Sequence, residues 1–257
     1  MSLPLWTFID SGEQTGAFNM ALDESLARSL ASGDGSPSLR IFRWRPRAIS
    51  LGYNQPAEEL DAARCAAEGI DIVRRPTGGR AILHADELTY SVVMPAGRKS
   101  ILQVYNEISS ALVRGLALYG VEVSLQKSQP DFAEEYRSSS SIPCFASSAR
   151  YEIEWRGRKL VGSAQRRFSG EHGDVVLQHG SILCGDAHLH LADCLAVPAA
   201  ETRERILGSL RAKTADLRMI TGRPVGMDAL GGCIRRGFEL EWGLAFTTPA
   251  GVHTQTA

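Results

Sequence analysis

The chain shows two patterns of apolar positions. Apolar residues recur every three or four positions, the period of an amphipathic helix, in the segments 15–35, 56–69, 101–120 and much of the tail from about residue 199. Short apolar or alternating runs predict strands at "WTFID", "SLRIFRW", "AISLGY", "IDIVRR", "LTYSVVMP", "VEVSL", "YEIEW", "RKLVGSAQRRF" and "DVVLQHGSIL". Several strands follow one another without an intervening helix, which favours a mixed, largely antiparallel sheet flanked by helices over a doubly wound sheet.

These elements predict one α/β (α+β) domain over residues 1–257. The strands and the helices between them form a core of about residues 1–185, and about 186–257 form a mostly helical C-terminal extension. A chain of 257 residues is long enough to bury a substantial core in a single domain. The sequence contains no internal repeat.

Composition and charge exclude several classes of function. The formal net charge of −1 gives no overall attraction to nucleic acid or to a membrane surface, so a charged partner must meet a local patch. The first ten residues lack the basic and apolar regions of a signal peptide, and no apolar stretch is long enough to span a membrane. We expect a cytoplasmic protein without nucleic-acid or membrane partners.

Five scattered cysteines without a C-x-x-C pair argue against both a disulfide framework and a metal site. Cys65, Cys184, Cys194 and Cys233 lie in apolar segments, where a cysteine is a common core residue. Cys144 lies instead in the polar segment "SSSSIPCFASS", just before the predicted strand "YEIEW". From these residues alone, Cys144 is either an ordinary loop thiol or a nucleophile.

The segment "RRPTGGRAILH" is the first candidate for a binding site. Its two adjacent glycines allow the backbone to approach a ligand closely, and its arginines have the planar geometry that suits phosphate or carboxylate groups. A hairpin turn with solvated arginines is the alternative interpretation. The candidate binding residues here are Arg75, Thr77, Gly78, Gly79, Arg80 and His84.

Two further strand segments carry candidate residues. In "GRKLVGSAQRR", Lys159 precedes a run of small residues that leaves room for a ligand, although a lysine that protects an edge strand is equally compatible with the spacing. In "LQHGSIL", a histidine can face the same pocket, although a single histidine is more often structural. The candidates in these segments are Gly162, Ser163, Ala164, Gln165 and His179.

A row of arginines in "RIFRWRPR" is a candidate docking surface. Arg43, Arg45 and Arg47 occupy alternate positions, which share one face if the segment is a strand. A solvated face is the default interpretation, and docking of an acidic partner is the sharper one.

Together, the blocks "RRPTGGRAILHADELTYSVV", "GRKLVGSAQRR" and "VVLQHGSIL" resemble the signature blocks of the biotin/lipoate protein ligase and lipoyl (octanoyl) transferase family. The resemblance extends from "FIDSGEQTGAFNMALDE" to about Leu183 and implies a biotin/lipoate-ligase-like (class II synthetase-like) catalytic domain. In that family the Gly-rich segment lines a tunnel for the lipoyl or octanoyl chain. The strand lysine that matches Lys159 contacts the acyl carbonyl or acyl phosphate.

Within that family the reaction depends on the nucleophile. Octanoyltransferases take the acyl group from a carrier thioester onto an enzyme cysteine, and "CFASSARYEI", with Cys144 ahead of Tyr151 and Glu152, resembles the LipM type most closely. The resemblance implies octanoyl acyl carrier protein as donor and no cofactor. The implied acceptor is a lysine of a lipoyl-accepting protein, such as the glycine cleavage H protein or a dehydrogenase E2 lipoyl domain.

Three alternatives stay open. A lipoate–protein ligase of this family would activate free lipoate with ATP and Mg, and Cys144 would be incidental. An octanoyl amidotransferase would move the acyl group between lipoyl-domain proteins. A non-enzymatic acyl-binding protein would have kept the fold and lost the chemistry. The short C-terminal extension favours a transferase, because many lipoate ligases add an accessory domain.

The residues also suggest how a transferase would work. Exchange between two thioesters is nearly isoenergetic, so a cysteine can accept the acyl group without ATP. The thiolate is the attacking form, and a neighbouring ammonium stabilises it. We therefore expect Cys144 and Lys159 to be the catalytic pair of a ping-pong reaction.

Overall fold

Two sheets organise the part of the chain that the computed structural model describes, residues 5–125, 152–196 and 199–247. The strands are β1 (Leu5–Gln14), β2 (Ser38–Trp44), β3 (Ala48–Leu51), β4 (Asp71–Arg74), β5 (Ile82–His84), β6 (Glu87–Pro95), β7 (Ser124–Leu125), β8 (Ile153–Trp155), β9 (Arg158–Phe168), β10 (Val175–Leu183) and β11 (Ala245–Thr247). The helices are α1 (Gly16–Ala31), α2 (Ala62–Ala67), α3 (Ile101–Leu118), α4 (Ala200–Lys213), α5 (Leu217–Thr221) and α6 (Met227–Trp242). Short 3-10 helices cover Ala57–Glu59 and Ala187–Cys194.

The large sheet has the order β11-β1-β2-β6-β10-β9-β8-β7, and the small sheet has the order β4-β3-β5. From β2 to β7 every neighbouring pair is antiparallel, whereas β1 runs parallel to both β2 and β11, and β3 runs parallel to β4. The predicted mixed, largely antiparallel sheet flanked by helices is therefore confirmed. Within the described ranges, no helix is long and apolar enough to cross a membrane.

Helix α1 forms where its apolar period predicts it, but it turns a different face inward. The Thr15 hydroxyl caps its first turn by accepting a hydrogen bond from the backbone N–H of Phe18. Phe18 itself is 46% exposed, and the buried face carries Gly16, Asn19, Met20, Asp23 and Ala27. The fully buried guanidinium of Arg40 on β2 explains this orientation, since a buried charge requires acceptors and Asp23 supplies one at 2.7 Å.

The helix predicted over 56–69 is shorter in the structure. Only a 3-10 turn precedes Leu60, which is extended and bridges to Leu195. The carboxylate of Asp61 then caps α2 by accepting a hydrogen bond from the backbone N–H of Arg64 at 3.0 Å. The acidic residues before Leu60 are typical of the first turn of a helix, but the bridge from Leu60 to Leu195 interrupts the helical backbone.

Helices α3 and α6 pack together on the face of the large sheet opposite α1. Gly115 of α3 and Gly237 of α6 make this close approach possible, because a Cβ on Gly237 would lie 2.5 Å from the backbone nitrogen of Gly115. Apolar side chains of both helices belong to the same buried cluster as Tyr90 of β6 and Val161 of β9. The opposite face of β6, β9 and β10 is thereby left to α1, to the small sheet and to the polar residues described next.

Candidate active site

A narrow pocket with a cavity volume of about 20 Å³ lies between the large and small sheets. Its apolar lining comes from Met20, Trp44 and Ile82. Of the predicted site residues, the structure brings six together in this lining: Arg75, His84, Gly162, Ser163, Ala164 and His179. Residues of the segments "RRPTGGRAILH", "GRKLVGSAQRR" and "LQHGSIL" therefore line one pocket.

His179 is fixed between a carboxylate and a hydroxyl. Its Nδ1 lies 3.0 Å from Asp23 Oδ2, and its Nε2 lies 2.6 Å from the hydroxyl of Thr77 in the Gly-rich segment. Burial alone would raise the pKa of Asp23, but the hydrogen bond from His179 and the charge of Arg40 lower it overall. Burial lowers the pKa of His179 despite the nearby carboxylate, so the imidazole is neutral near pH 7 and accepts the Thr77 hydrogen bond.

His84 has an equivalent arrangement on the other side of the pocket. Its Nδ1 lies 2.8 Å from Glu87 Oε1, and its Nε2 lies 2.7 Å from the hydroxyl of Ser50. The indole of Trp44 stacks on the imidazole at 3.9 Å between ring centroids, and its N–H donates to the hydroxyl of Thr89. Burial alone would raise the pKa of Glu87, but His84 and three hydrogen bonds lower it. His84 is thus a rigid wall of the pocket.

The arginines of the Gly-rich segment bind protein groups. The buried Arg75 donates to the carbonyls of Ser50, Gly78 and Arg80 at 2.8, 3.0 and 2.6 Å, and thereby shapes the loop. The Arg80 guanidinium lies 3.3 Å from a carboxylate oxygen of Glu59. These contacts assign both arginines a structural role in addition to any contact with a ligand.

Gly79 has a φ of +91°. Its carbonyl lies so close to the backbone at residue 52 that this position must also be glycine. A Cβ on Gly52 would lie 1.9 Å from the Gly79 oxygen. The structure therefore requires glycine at position 79 but not at position 78, where a Cβ would meet nothing within 4 Å, and a close approach of this segment to a ligand stays a prediction.

The small residues of β9 and β10 form the floor of the pocket. Gly180 opposes Ser163 across the two strands, and a Cβ on Gly180 would lie 2.4 Å from the carbonyl oxygen of Gly162. The Ser163 hydroxyl bonds to the Tyr90 hydroxyl at 2.7 Å on the opposite face of the sheet. Burial raises the pKa of Tyr90 to about 12, so this hydroxyl stays neutral.

Gln165, also predicted as an acyl-binding residue, does not line the pocket. Its amide donates to the side-chain oxygen of Gln178 at 3.0 Å, and Gln178 donates to Tyr90 on the far face of the sheet. By strand alternation, the side chains of residues 163 and 165 point to the face opposite that of 162 and 164; Ser163 still lines the pocket because it lies beside Gly162 and opposite Gly180, where no side chain covers the strands.

Lys159 lies three positions before Gly162 on β9, beside a β-bulge. Val161 opposes Ile153 and Lys159 opposes Glu154, so two steps along β9 match one step along β8. A bulge changes the direction of the side chains next to it, and the Lys159 ammonium forms an ion pair with Glu152. Both side chains are nearly buried, 5% and 6% exposed, so Lys159 is not a solvated edge-strand lysine.

Cys144, the predicted nucleophile, lies outside the described residues. The four cysteines within them are free thiols, and Cys65, Cys184 and Cys194 are buried. Burial raises the pKa of all four, that of Cys194 to about 12, which keeps them in the unreactive thiol form. The core role predicted for Cys65, Cys184 and Cys194 is confirmed, and Cys233 is half-buried on α6.

The three arginines of the predicted docking stripe do not share a strand face. Only Arg43 lies within β2, whereas Arg45 and Arg47 lie in the turn that follows it. Arg45 is paired with Glu13 at 3.2 Å, and Arg47 donates to the carbonyl of Glu68 at 3.4 Å. Pro46 ends the strand in the middle of the stripe, since proline cannot donate to the ladder. A docking role for these residues stays a prediction.

Sequence reasoning missed the partners that position the predicted residues. Asp23 and Glu87 hold the two histidines, Glu152 holds Lys159, and Arg40 fixes Asp23. One signal was present: Asn19 and Asp23 lie four positions apart, on one face of a helix whose apolar row lies elsewhere. The partnership itself depends on contacts between segments that are far apart in the chain.

Comparison with known proteins identifies the family. The model of the lipoyl protein ligase A/B catalytic domain matches residues 15–239. Octanoyltransferase LipM of Kyrpidia tusciae is 37% identical over 238 residues, which cover 91% of this chain and 85% of the relative. Octanoyltransferase LipM of Symbiobacterium thermophilum is 38% identical over 250 residues, which cover 94% and 88%.

Solved structures agree with the sequence comparison. The bi-partite lipoate protein ligase of Thermoplasma acidophilum superposes with a TM-score of 0.73 at 25% identity, covering 97% of this chain and 87% of the ligase chain. A lipoate-protein ligase A bound with ATP superposes with a TM-score of 0.70 at 25% identity, covering 97% and 89%. The chain belongs to the lipoyl protein ligase A/B catalytic domain family.

Proposed function

We propose that this protein is an octanoyltransferase of lipoate biosynthesis. It moves an octanoyl group from acyl carrier protein, through a thioester on Cys144, to a lysine of a lipoyl-accepting protein. The observation that carries the proposal is the similarity to octanoyltransferases LipM over more than nine-tenths of the chain. The glycine cleavage H protein and dehydrogenase E2 lipoyl domains are the acceptors we propose.

The chemistry of the pocket supports an acyl substrate. Met20, Trp44 and Ile82 supply apolar surface for a hydrocarbon chain, next to the small residues of β9 and β10. The neutral state of His179 avoids placing a charge against that chain. Arg75 is held by backbone carbonyls, so it shapes the pocket without requiring an anionic ligand.

In the first half-reaction, the Cys144 thiolate attacks the thioester carbonyl, and the carrier leaves as a thiolate that takes up a proton. In the second, the acceptor amine attacks the acyl-enzyme, loses a proton, and releases the Cys144 thiolate. Lys159 stabilises the thiolate in both steps and relays the proton. Glu152 holds Lys159 in position through their buried ion pair.

A second candidate function is an ATP-dependent lipoate–protein ligase. The superposition on a lipoate-protein ligase A bound with ATP favours it, at 25% identity. Under that alternative ATP and Mg would be required, whereas the transferase needs no cofactor. An octanoyl amidotransferase, which takes the acyl group from another lipoyl-domain protein, would differ only in its donor. The cytoplasmic location predicted from the sequence is part of the same proposal.

The test is the intact mass of the protein after incubation with octanoyl acyl carrier protein in the absence of ATP. We expect an added octanoyl group on the wild type and none on Cys144→Ser. A thiol at a position already described as buried serves as the matched control, so Cys65→Ser is expected to retain the adduct. No adduct on the wild type, combined with ATP-dependent modification of a lipoyl domain by free lipoate, would establish the ligase instead.

A further inference from the structure

A group of basic side chains surrounds the point where the β8–β9 turn meets the linker between α4 and α5. We call this group the basic face, and its members are Arg156, Arg158, Arg211, Lys213 and Arg218. Four of them are exposed, and Arg158 is half-buried. The net charge of the whole chain is only −1, so this concentration of positive charge is local.

The basic face is joined directly to the strand that carries Lys159. Thr214 pairs with Lys159 in a parallel bridge, and the N–H of Ala215 donates to the Lys159 carbonyl at 3.0 Å. In the first turn of α5, the N–H of Arg218 donates to the carbonyl of Cys184 at 3.1 Å, just beyond the end of β10. A partner on the basic face therefore lies near the start of β9, where Lys159 is located.

The linker beside these side chains, residues 214–216, is held in place by its own contacts. Thr214 lies with its hydroxyl 2.9 Å from Nε2 of the buried His188 and 2.8 Å from the carbonyl of Leu210. The carboxylate of Asp216 caps α5 by accepting from the N–H of Met219 at 2.8 Å. A surface already held in place loses little conformational freedom when a partner binds.

The composition of the basic face is that of a protein-binding surface. Met219, next to Arg211 and Arg218, is 44% exposed, and its sulfur lies 3.8 Å from a guanidinium nitrogen of Arg158. Arginine and methionine are enriched at interfaces, whereas lysine and acidic residues are depleted there. Among the described residues, the carboxylates nearby are Asp86, which is paired with Arg218, the helix-capping Asp216, Asp186, and Glu152 and Glu154 beside Lys159. Glu152 and Glu154 are buried, so the exposed charges described at the basic face are mostly positive.

We propose that the basic face docks an acidic surface of the protein that donates the acyl group. This inference rests on the proposed function and names the docking site of its first substrate. Charge complementarity identifies an acidic partner. A donor carries its acyl thioester on an extended arm, so it can dock beside Lys159 while the acyl group reaches the pocket. An acceptor lysine has only its own side chain with which to reach the acyl carbon.

The test is binding and acylation by octanoyl acyl carrier protein in Arg211→Glu/Lys213→Glu. The matched control is Arg98→Glu/Arg205→Glu, which changes the net charge equally at two exposed arginines outside the basic face. We expect the Kd for the carrier to rise about tenfold or more in the first variant and less than about twofold in the control. Acylation by the small thioester octanoyl-N-acetylcysteamine should be equal in both variants.

Three results would overturn the inference. The first is equal carrier affinity in the two variants. The second is an equal loss of acylation by the carrier and by the small thioester, which would place the residues in the chemistry or the stability of the fold. The third is normal carrier binding with impaired transfer to the lipoyl domain, which would assign the face to the acceptor. Carrier binding is measured without turnover, so failure of the proposed function would show separately, as the absence of any acyl-enzyme.

Discussion

His179 and Asp23 lie 156 positions apart in the sequence and are joined by a 3.0 Å hydrogen bond beneath the pocket. The same carboxylate accepts hydrogen bonds from Arg40 at 2.7 Å and from Ser91 at 2.8 Å. This one group therefore ties α1 to β2, β6 and β10. A buried polar network therefore fixes the shape of the pocket together with apolar packing.

Asp23→Asn is expected to destabilise the fold strongly. It removes the charge that compensates the fully buried Arg40, and breaking a buried pair in this way costs about 3–5 kcal/mol of unfolding free energy. Glu24→Gln is the matched control. The Glu24 carboxylate, next in the chain to Asp23, pairs with Arg28 at the surface, where such pairs contribute about 0–1 kcal/mol. Urea unfolding measures both. Equal losses in the two variants would contradict the network.

His179→Gln is expected to reduce the loss of stability at acid pH. Burial lowers the folded-state pKa of His179 from its ordinary value of 6.5, so the unfolded state takes up a proton first as the pH falls. Stability from His179 is therefore present above pH 6.5 and is lost below it. The lowered pKa of Asp23 acts in the same direction, but at more acid pH, below its ordinary value of 3.8.

The measurement is the free energy of unfolding at several pH values between about 7 and 5. His179→Gln should show a shallower slope than the wild type, although not a flat one, because burial also lowers the pKa of His188. A wild-type slope in His179→Gln would show that this histidine does not titrate differently on folding.

Lys159→Met is expected to slow formation of the acyl-enzyme by about 100-fold or more, the usual range for the loss of a positioned proton-transfer group. Glu152→Gln should slow it less, and Glu152→Asp should recover part of the rate, because a carboxylate can still pair with Lys159. Glu154→Gln is the control, since Glu154 opposes Lys159 in the ladder and Glu152 holds the ammonium. Single-turnover acylation followed by mass spectrometry measures each rate. Similar rates in Glu152→Gln and Glu154→Gln would remove Glu152 from the mechanism.

Gly180→Ala is expected to destabilise the protein and Gly208→Ala to stabilise it. A Cβ at position 180 would lie 2.4 Å from the Gly162 carbonyl and 2.8 Å from the ring of Tyr90, and such overpacking costs about 1–3 kcal/mol. A Cβ at position 208 meets nothing within 4 Å, and alanine within a helix is favoured over glycine by about 0.5–1 kcal/mol. Thermal unfolding of both variants tests the pair. A stable Gly180→Ala protein would mean that the floor of the pocket can shift.

The main elements of the fold could be predicted because apolar periodicity decides where helices and strands form. The inward face of α1 could not, since the burial of Asn19 and Asp23 depends on Arg40, a residue of another element. The start of α2 after Leu60 could not be predicted either, because it depends on a bridge from Leu60 to the distant Leu195.

The same distinction holds for the site. The glycines and His84, His179 and Lys159 could be selected from their segments, because the chemistry of each residue type is visible in the sequence. Their partners could not be predicted, since Glu87, Asp23 and Glu152 reach them only through sheet register and a β-bulge. The side-chain direction of Gln165 follows from strand alternation once the facing residues of β10 are known.

The central claim, acyl transfer from a carrier thioester, is tested most directly by modification of a lipoyl-domain lysine under two conditions. One reaction contains octanoyl acyl carrier protein without ATP, and the other contains free octanoate with ATP and Mg. The account predicts octanoylation of the lysine in the first reaction, its loss in Cys144→Ser, and none in the second. Modification only in the second reaction, unchanged in Cys144→Ser, would contradict it.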